Sequence, residues 1–242
     1  MRYGILSDVH SNLEALEVVL AAVAKDGIDQ LLCAGDLIGY GPDPVSCLER
    51  LTRKIAHAVC GNHDCAAAGR LELDWFNDTA RAAVEWTVGQ LSKEERDYLH
   101  DLPLVWQNAE VTVVHGSLEE PEQFHYIFDL ADAETCLKLQ QTPVAFIGHT
   151  HVPGIFIQEG SRIAFHRPQQ PVHLNPRLKY LVNVGSVGQP RDGDPRAAYC
   201  LYDTSAPSVE IRRVSYSITK TQEKMRTAGL PEFLAQRLDS GH

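Results

Sequence analysis

Apolar residues recur along this chain with two periods, and the order in which those periods alternate predicts the architecture. Arg2 to Leu6 reads as a strand, and Asn12 to Lys25 carries apolar residues at 13, 16, 19, 20 and 23, the spacing of one helix face. Gln30 to Ala34 is a second strand, Pro42 to Leu51 a second helix with its proline near the start, and Ile55 to Val59 a third strand. Strands alternating with helices imply a largely parallel sheet joined by right-handed crossovers. Residues 74–101 are helical in pattern, as two pieces, Thr79 to Leu91 and Lys93 to His100, divided by the capping signal of Ser92. After Leu104 strands dominate, at Val111–Val114, Val144–Ile147, Gly154–Ile157, Arg162–Phe165, Tyr180–Val184, Ala197–Tyr202 and Val209–Val214, with one helix near 131–141. That is more strand than one parallel sheet accommodates. The pattern therefore predicts an α/β fold of four layers, an αββα sandwich of two mixed β-sheets flanked by helices. No repeat, low-complexity tract or linker divides the chain, so the expectation is a single domain over 1–242, with a helical flank at 74–101 and a C-terminal helical segment at 217–238.

Composition narrows the class without changing that picture. A chain of 242 residues should bury roughly 70% of its unfolded surface, and 44% hydrophobic with 22% charged residues is ordinary globular composition. The longest apolar stretch, Val18 to Ala24, is closed by Glu17 and Lys25, far short of the roughly 18 residues a membrane span requires. The opening Met-Arg-Tyr-Gly-Ile-Leu-Ser has neither the charged start nor the apolar run of a signal peptide, so a cytoplasmic location is expected. The six cysteines, at 33, 47, 60, 65, 136 and 200, form no CxxC pair and are expected to be reduced. With 22 basic and 32 acidic residues the net charge is −10, which argues against general nucleic-acid binding or an anionic-membrane binder. It suits a protein that gathers carboxylates around cations.

The chemistry is concentrated in a few short clusters. Five of the eleven histidines fall beside carboxylates, an asparagine or glycine, next to or directly after apolar strands. The clusters are Asp8-Val9-His10, Gly35-Asp36, Gly61-Asn62-His63-Asp64, His115-Gly116 and Gly148-His149-Thr150-His151. Each stands where an open α/β sheet usually places its ligands. Imidazole nitrogens with carboxylate and amide oxygens suit Mn²⁺, Fe²⁺, Zn²⁺, Co²⁺ or Ni²⁺ better than Ca²⁺. One metal needs only three or four such ligands, and seven side chains are present before His63 is counted, so two metals sharing a carboxylate is the economical reading. Two cations roughly 3.5–4 Å apart can hold a hydroxide between them and clamp the attacking and leaving oxygens of an in-line displacement at phosphorus.

The ordered set DxH, GD, GNHD, H and GHTH resembles that of the calcineurin-like metallophosphoesterase superfamily, and it spans residues 8–151. The resemblance implies an αββα sandwich with a dinuclear centre between strand-end loops. It implies Asp8, His10, Asp36 and His151 as ligands of one metal and Asp36, Asn62, His115 and His149 as ligands of the other, with Asp36 the bridge. His63 would face the substrate, stabilising negative charge and protonating the leaving alkoxide, and Asp64 would orient the loop or the ring. The cofactors expected are two divalent ions, Mn²⁺ favoured, with Fe, Zn, Ni, Co or Mg as alternatives.

The chain also departs from parts of that superfamily. In its protein Ser/Thr phosphatases and symmetrical dinucleoside tetraphosphate hydrolases, the GD motif runs on to a phosphate-binding arginine. Tyr40 stands at that position here, and Gly39 where the protein phosphatases have an aspartate supporting the catalytic histidine. Losing a planar bidentate clamp is not conservative. The resemblance therefore favours the compact bacterial-type phosphodiesterase group, which Asn183-Val184-Gly185-Ser186-Val187-Gly188-Gln189-Pro190-Arg191-Asp192 also resembles. Gly185 and Gly188 would let backbone approach a ligand, Arg191 is the candidate replacement phosphate contact, and Tyr40 a candidate stacking or hydroxyl contact. Between Glu159 and Arg196 six basic residues face three acidic ones, a patch open to phosphate or merely solvated. Cys60 and Cys65 are expected to pack, and the histidines at 57, 100, 125, 166, 173 and 242 to be surface or structural. The expected function is a metal-dependent phosphodiesterase acting on small phosphodiesters or nucleotides. Phosphomonoesterase, protein phosphatase, dinucleoside polyphosphate hydrolase and a catalytically weak interaction scaffold are the alternatives, and oligomeric state stays open.

Overall fold

A computed structural model describes all 242 residues. The chain runs β1 (Arg2–Leu6), α1 (Leu13–Lys25), β2 (Gln30–Cys33), α2 (Pro44–Thr52), β3 (His57–Ala58) and α3 (Asn62–Ala67). Two helices follow, α4 (Asp78–Val88) and α5 (Lys93–His100), then β4 (Val105–Gln107), β5 (Val111–Val114), α6 (Leu130–Leu139) and β6 (Val144–Ile147). The last part is β7 (Gly154–Glu159), β8 (Arg162–His166), β9 (Val172–His173), β10 (Lys179–Asn183), β11 (Ala197–Asp203), β12 (Ser208–Val214), α7 (Ile218–Thr227) and α8 (Glu232–Ser240).

Two six-stranded mixed sheets result, in the orders β3-β2-β1-β11-β12-β9 and β4-β5-β6-β10-β7-β8. Parallel pairs lie at the heart of each, β1 with β2 and β6 with β5 and β10, and antiparallel strands extend both. Side-chain alternation explains the layers. Tyr3, Ile5 and Leu32 of one sheet meet Val113, Phe146 and Val182 of the other in a core between the sheets. The intervening residues point outward: Leu6, Leu31 and Cys33 meet Leu16, Val19 and Leu51 of α1 and α2, and Ala145, Ile147 and Leu181 meet Ala133, Cys136 and Leu137 of α6. The four-layer expectation holds for this reason. Every strand that is buried on both faces reads as an almost unbroken apolar run.

The differences lie at the edges. The third strand is only His57–Ala58 instead of Ile55–Val59, because Val59 onward already turns toward α3. Two short strands, Val105–Gln107 and Val172–His173, carry too few residues for a period to show. The C-terminal segment is two helices separated at Gly229 to Pro231, with Gly229 at φ +73°. Their apolar faces, through Met225, Leu230, Leu234 and Leu238, close over Ala83 of α4. Glu14, buried on α1, holds α7 through Lys224 at 3.1 Å and Lys220 at 3.0 Å. At Ser92 the expected helix boundary is a full capping box with Glu95.

Removing the Phe146 ring leaves a hole between two sheets that cannot close independently. Phe146→Ala should therefore lose about 3–5 kcal/mol of stability, whereas Phe128→Ala, at an exposed ring, should stay within about 0.5 kcal/mol. Urea unfolding followed by circular dichroism measures both.

Candidate metal centre

The five clusters converge because each follows a strand of a parallel pair and those strands end together. Asp8 and His10 follow β1, Asp36 follows β2, Asn62 and His63 open α3 beyond β3, His115 follows β5, and His149 and His151 follow β6. Backbone bonds carry the pairing past the strand ends: Asp8 N–H donates to Gly35 O at 3.0 Å and His10 N–H to Asp36 O at 3.1 Å. Gly148 N–H donates to His115 O at 2.9 Å, and His149 N–H to Asp8 Oδ2 at 3.0 Å, which locks one sheet to the other at the site.

Eight non-glycine residues have left-handed backbone, and six of them belong to this site: Asp8, His10, Ser11, Asp36, His149 and His151. Such geometry costs about 1–3 kcal/mol per residue and gathers where function requires it. It turns each short side chain inward from the strand end.

Carboxylates and imidazoles interleave. Asp36 Oδ2 lies 3.5 Å from His10 Nε2 and 3.3 Å from His115 Nε2, and Asp8 Oδ1 lies 3.2 Å from His151 Nε2. Asp8-His10-His151, His10-Asp36-His63 and Asp36-His115-His149 each form a group close enough to hold a metal ion, and Asp36 is common to two of them. All seven of these side chains are buried. Burial alone would raise Asp8 and Asp36, but His151 facing Asp8 and His115 facing Asp36 hold both carboxyls well below their usual range. Burial lowers His10, His149 and His151. It opposes a charge on His115 too, yet Asp36 beside it lifts that ring to about 9.

Ring orientation fits a cation. Nδ1 of His115 bonds Ala34 O at 2.7 Å, that of His151 bonds Gln189 O at 2.6 Å, and that of His10 bonds Ile38 O at 3.3 Å. A carbonyl can only accept, so each Nδ1 carries a proton and each Nε2 points inward, where a cation would displace the second proton that Asp36 favours on His115; this is the usual arrangement behind a ligating histidine. His10 Nε2 and His151 Nε2 then face each other at 3.1 Å, as do His115 Nε2 and His149 Nδ1. The buried Asn62 Oδ1 has no hydrogen-bond partner. Converging ring nitrogens and an orphaned amide oxygen are what a bound cation resolves.

His63 is buried beside His10 and Tyr40, with ring centroids 4.9 Å and 4.4 Å away. Its Nδ1 has no partner, and Gly39 stands directly against that atom. Position 39 thus lies where a supporting carboxylate would reach, and glycine leaves the ring unsupported. Burial, with Arg191 adding to it against the pull of Asp36, lowers His63 to about 4. Asp64 does not reach the reacting space: its carboxylate accepts from the backbone N–H groups of Gly61, Leu37 and Ile38 at 3.1–3.2 Å. Burial and then Asp36 raise it to about 7. It is a clamp between two loops, which is the loop-orienting half of what the motif led us to expect, and it acts on the reaction only through the residues it holds.

The glycine-rich segment after β10 behaves differently from expectation. Ser186 Oγ donates to Asp8 O at 2.8 Å, and a Cβ at Gly188 would overlap Val9 O. The close approach is to the Asp8 loop and not to a ligand. The basic patch also disperses, with Arg196 on Asp194 and Lys179 on the carbonyls of Leu137 and Gln140, leaving Arg191 alone at the site. Arg191 bonds Gln189 Oε1 at 2.7 Å and lies over the Tyr40 ring at 5.6 Å. Arg237 of α8, which no sequence pattern marked, bonds the same oxygen at 3.1 Å. Arg237 also donates from Nε to His242 O at 2.6 Å, neither guanidinium meets an Asp or Glu side chain, and burial together with Arg191 lowers Arg237 to about 10. Cys60 and Cys65 bracket the Asn62 segment and are paired as a disulfide, Cα atoms 6.0 Å apart, because the first turn of α3 brings Cys65 back over Cys60. These two therefore depart from the expectation of reduced cysteines, and the other four are free and buried. The six remaining histidines are all exposed. No helix is long and apolar enough to cross a membrane.

Beside the centre, Asn62 and His149 form the edge of a cleft of about 180 Å³ whose lining includes Trp75, Phe76, Phe124 and Tyr126.

Residues 1–206 match the model of the calcineurin-like phosphoesterase superfamily domain. An uncharacterized protein of Methanocaldococcus jannaschii is 37% identical over 98% of this chain and 97% of its own length. Phosphodiesterase YfcE of Escherichia coli is 28% identical over 86% of this chain and 91% of its own. The crystal structure of a metallophosphoesterase from Sphaerobacter thermophilus superposes with a TM-score of 0.89 at 43% identity, covering 100% of this chain and 99% of that one.

A Cβ at Gly61 would overlap the Asp36 carboxylate and amide. Gly61→Ala should displace Asp36 and weaken metal binding about 10–100-fold, the range seen when ligand orientation is disturbed. The rise in Tm that MnCl₂ produces over an EDTA control, a consequence of binding only to the folded state, should be much reduced in this variant.

Proposed function

The chain belongs to the calcineurin-like phosphoesterase superfamily, and we propose that it is a dinuclear metal-dependent phosphodiesterase hydrolysing small phosphodiesters or nucleotides. The observation that carries this reading is the shared Asp36 between two inward-facing imidazole groups. In this reading Asp8, His10, Asp36 and His151 hold one ion and Asp36, Asn62, His115 and His149 the other. Manganese is the favoured metal, since the donor set is nitrogen and oxygen without thiolate. Two such ions would supply charge neutralisation at the phosphoryl oxygens and an acidified water as nucleophile.

The chain's own groups do the rest. Asp36 and Asp8 remain ionised and fix the ring orientations around the phosphoryl group. Arg191 and Arg237, two guanidiniums that meet no Asp or Glu side chain, donate to the phosphoryl oxygens. They stand in for the arginine that Tyr40 replaces, and Tyr40 lines the path between them and His63. His63 is neutral before substrate arrives. The negative charge of the incoming ester raises its proton affinity, so the ring takes up a proton as the ester docks and gives it to the departing oxygen. The preference for a diester rests on the YfcE relative and on the aromatic-lined cleft beside the centre, which has room for an organic arm that a phosphomonoester of a small alcohol lacks.

Metal-stripped protein titrated with Mn²⁺ should turn over bis-p-nitrophenyl phosphate faster than p-nitrophenyl phosphate, and His63→Ala and Asp36→Asn should each lower kcat by about 100-fold or more. A reversed preference makes the protein a phosphomonoesterase. Failure to bind metal or turn over either substrate leaves the fold as an interaction scaffold. Arg191→Ala and Arg237→Ala should each raise KM about tenfold, as expected for lost charge-assisted hydrogen bonds. Unchanged kcat and KM in both would remove the arginine pair from substrate binding.

A further inference from the structure

The cleft at Asn62 and His149 has a chemistry unlike the rest of the site. Its aromatic lining includes Trp75 and Tyr126, which are 70% and 45% exposed, and Phe128, 68% exposed, stacks on Tyr126 at 5.0 Å. Tyr126 in turn lies flat on the His149 ring, centroids 3.8 Å apart and planes within 14°. A row of parallel rings therefore runs outward from the metal centre. Exposed aromatic surface gathered at one place marks an interaction site in a soluble chain.

Three further observations say what the occupant is. The cleft is below the roughly 300–1,000 Å³ of a whole ligand site, so it takes one arm of an ester whose phosphate lies on the Asp36 cluster. Glu122 is its one charged residue, and the guanidiniums lie beyond Tyr40, so the arm carries no negative charge of its own. Its rim carries exposed polar side chains, Asn77, Glu122 and Gln123, whose donors and acceptors an occupant can meet; Asn77 Oδ1 accepts from Ala80 N–H at 3.0 Å, which turns its amide N–H groups outward. A planar, uncharged group with donors and acceptors along its edge is a nucleobase. The segment that carries the cleft's inner wall is also strained. Glu120 and Phe124 are the two non-glycine residues with left-handed backbone outside the metal-site loops, at φ +42° and +51°.

Resting on the phosphodiesterase reading, we propose that this cleft binds the base of a nucleotide ester, with the exposed Trp75 ring as its stacking platform and Tyr126, stacked between His149 and Phe128, as its wall, and so selects nucleotide substrates. Base–aromatic stacking tolerates different bases, because each has a π-face. Selection is accordingly for a nucleobase over an alkyl or plain phenyl group, and not for one base.

The test compares diesters that share a leaving group: thymidine 5′-(p-nitrophenyl phosphate), phenyl p-nitrophenyl phosphate and methyl p-nitrophenyl phosphate, with the Mn²⁺-loaded protein. The expected kcat/KM for the thymidine ester is at least about tenfold above the methyl ester and above the phenyl ester. In Trp75→Ala and Tyr126→Ala that ratio should fall below about threefold; a merely structural effect would move all three esters together and leave the ratio intact. Equal turnover of thymidine and methyl esters overturns the proposal while the phosphodiesterase reading stands. Equal turnover of thymidine and phenyl esters overturns the nucleobase and leaves an unselective aryl pocket. Should no ester be hydrolysed, the phosphodiesterase reading fails, and binding decides the cleft by itself. AMP should then quench tryptophan fluorescence of the metal-free protein where ribose 5-phosphate does not, with the quench lost in Trp75→Phe. Equal responses to AMP and ribose 5-phosphate, or none to either, overturn the proposal.

Discussion

Two carboxylates, Asp8 and Asp36, are buried completely among five imidazoles, and the rest of the molecule is arranged around keeping them ionised there. An isolated buried charge is prohibitively unfavourable. These two are tolerated because each faces inward-turned rings and accepts backbone N–H groups, Asp36 from His63 at 2.9 Å and Asp8 from His149 at 3.0 Å. That requires loops from both sheets to meet at one point. It explains why β1 and β2 pair in parallel in one sheet and β5 and β6 in the other, so that all four chains arrive with their C-terminal ends together.

The same requirement explains the backbone strain. Turning a one- or two-carbon polar side chain back over a strand end needs left-handed geometry, and six residues of the site adopt it. What holds them is a set of clamps that carry no chemistry themselves. Asp64 ties the Asp36 loop to the Asn62 loop, Ser186 ties the Asp8 loop to the chain after β10, and Asn183 bonds Gly148 O at 2.7 Å to fix the His149 turn. Their polar atoms are spent on backbone, which is why a segment such as 185–190, rich in glycine, packs against the Asp8 loop instead of opening to a ligand.

Much of this was legible in the residues. Buried strands and amphipathic helices write their periods plainly, so ten of the twelve strands and α1, α4, α5 and α6 stood within a few residues of their true limits. The metal-site residues were legible because short polar clusters after apolar strands have few other uses, and their order resembles that of one superfamily. What escaped notice shares a physical reason. Arg237 is a single basic residue on an amphipathic helix, with no local mark to tell it from a solvated one, and only tertiary packing of α8 brings it to Gln189. Trp75 and Tyr126 lie far apart in sequence, in segments without a period, and become a pair only through the cleft. The Cys60–Cys65 pairing depends on the tight turn into α3, which a spacing of five residues does not reveal.

These later-recognised residues also occupy a distinct part of the chain's logic. The family match ends at residue 206, and α7 and α8 lie beyond it, yet α8 delivers Arg237 to Gln189, beside the centre. Glu14 and Asp43, on and beside helices of the matched part, hold α7 through Lys224, so the position of Arg237 depends on contacts between the sandwich and the C-terminal helices. The reactive groups thus come from strand ends that cannot move without breaking a sheet, while the groups that meet the two arms of an ester come from helices and loops packed outside the sheets. A fold built this way can change what it binds by altering α8 or the 73–78 and 120–128 segments without disturbing a single buried carboxylate.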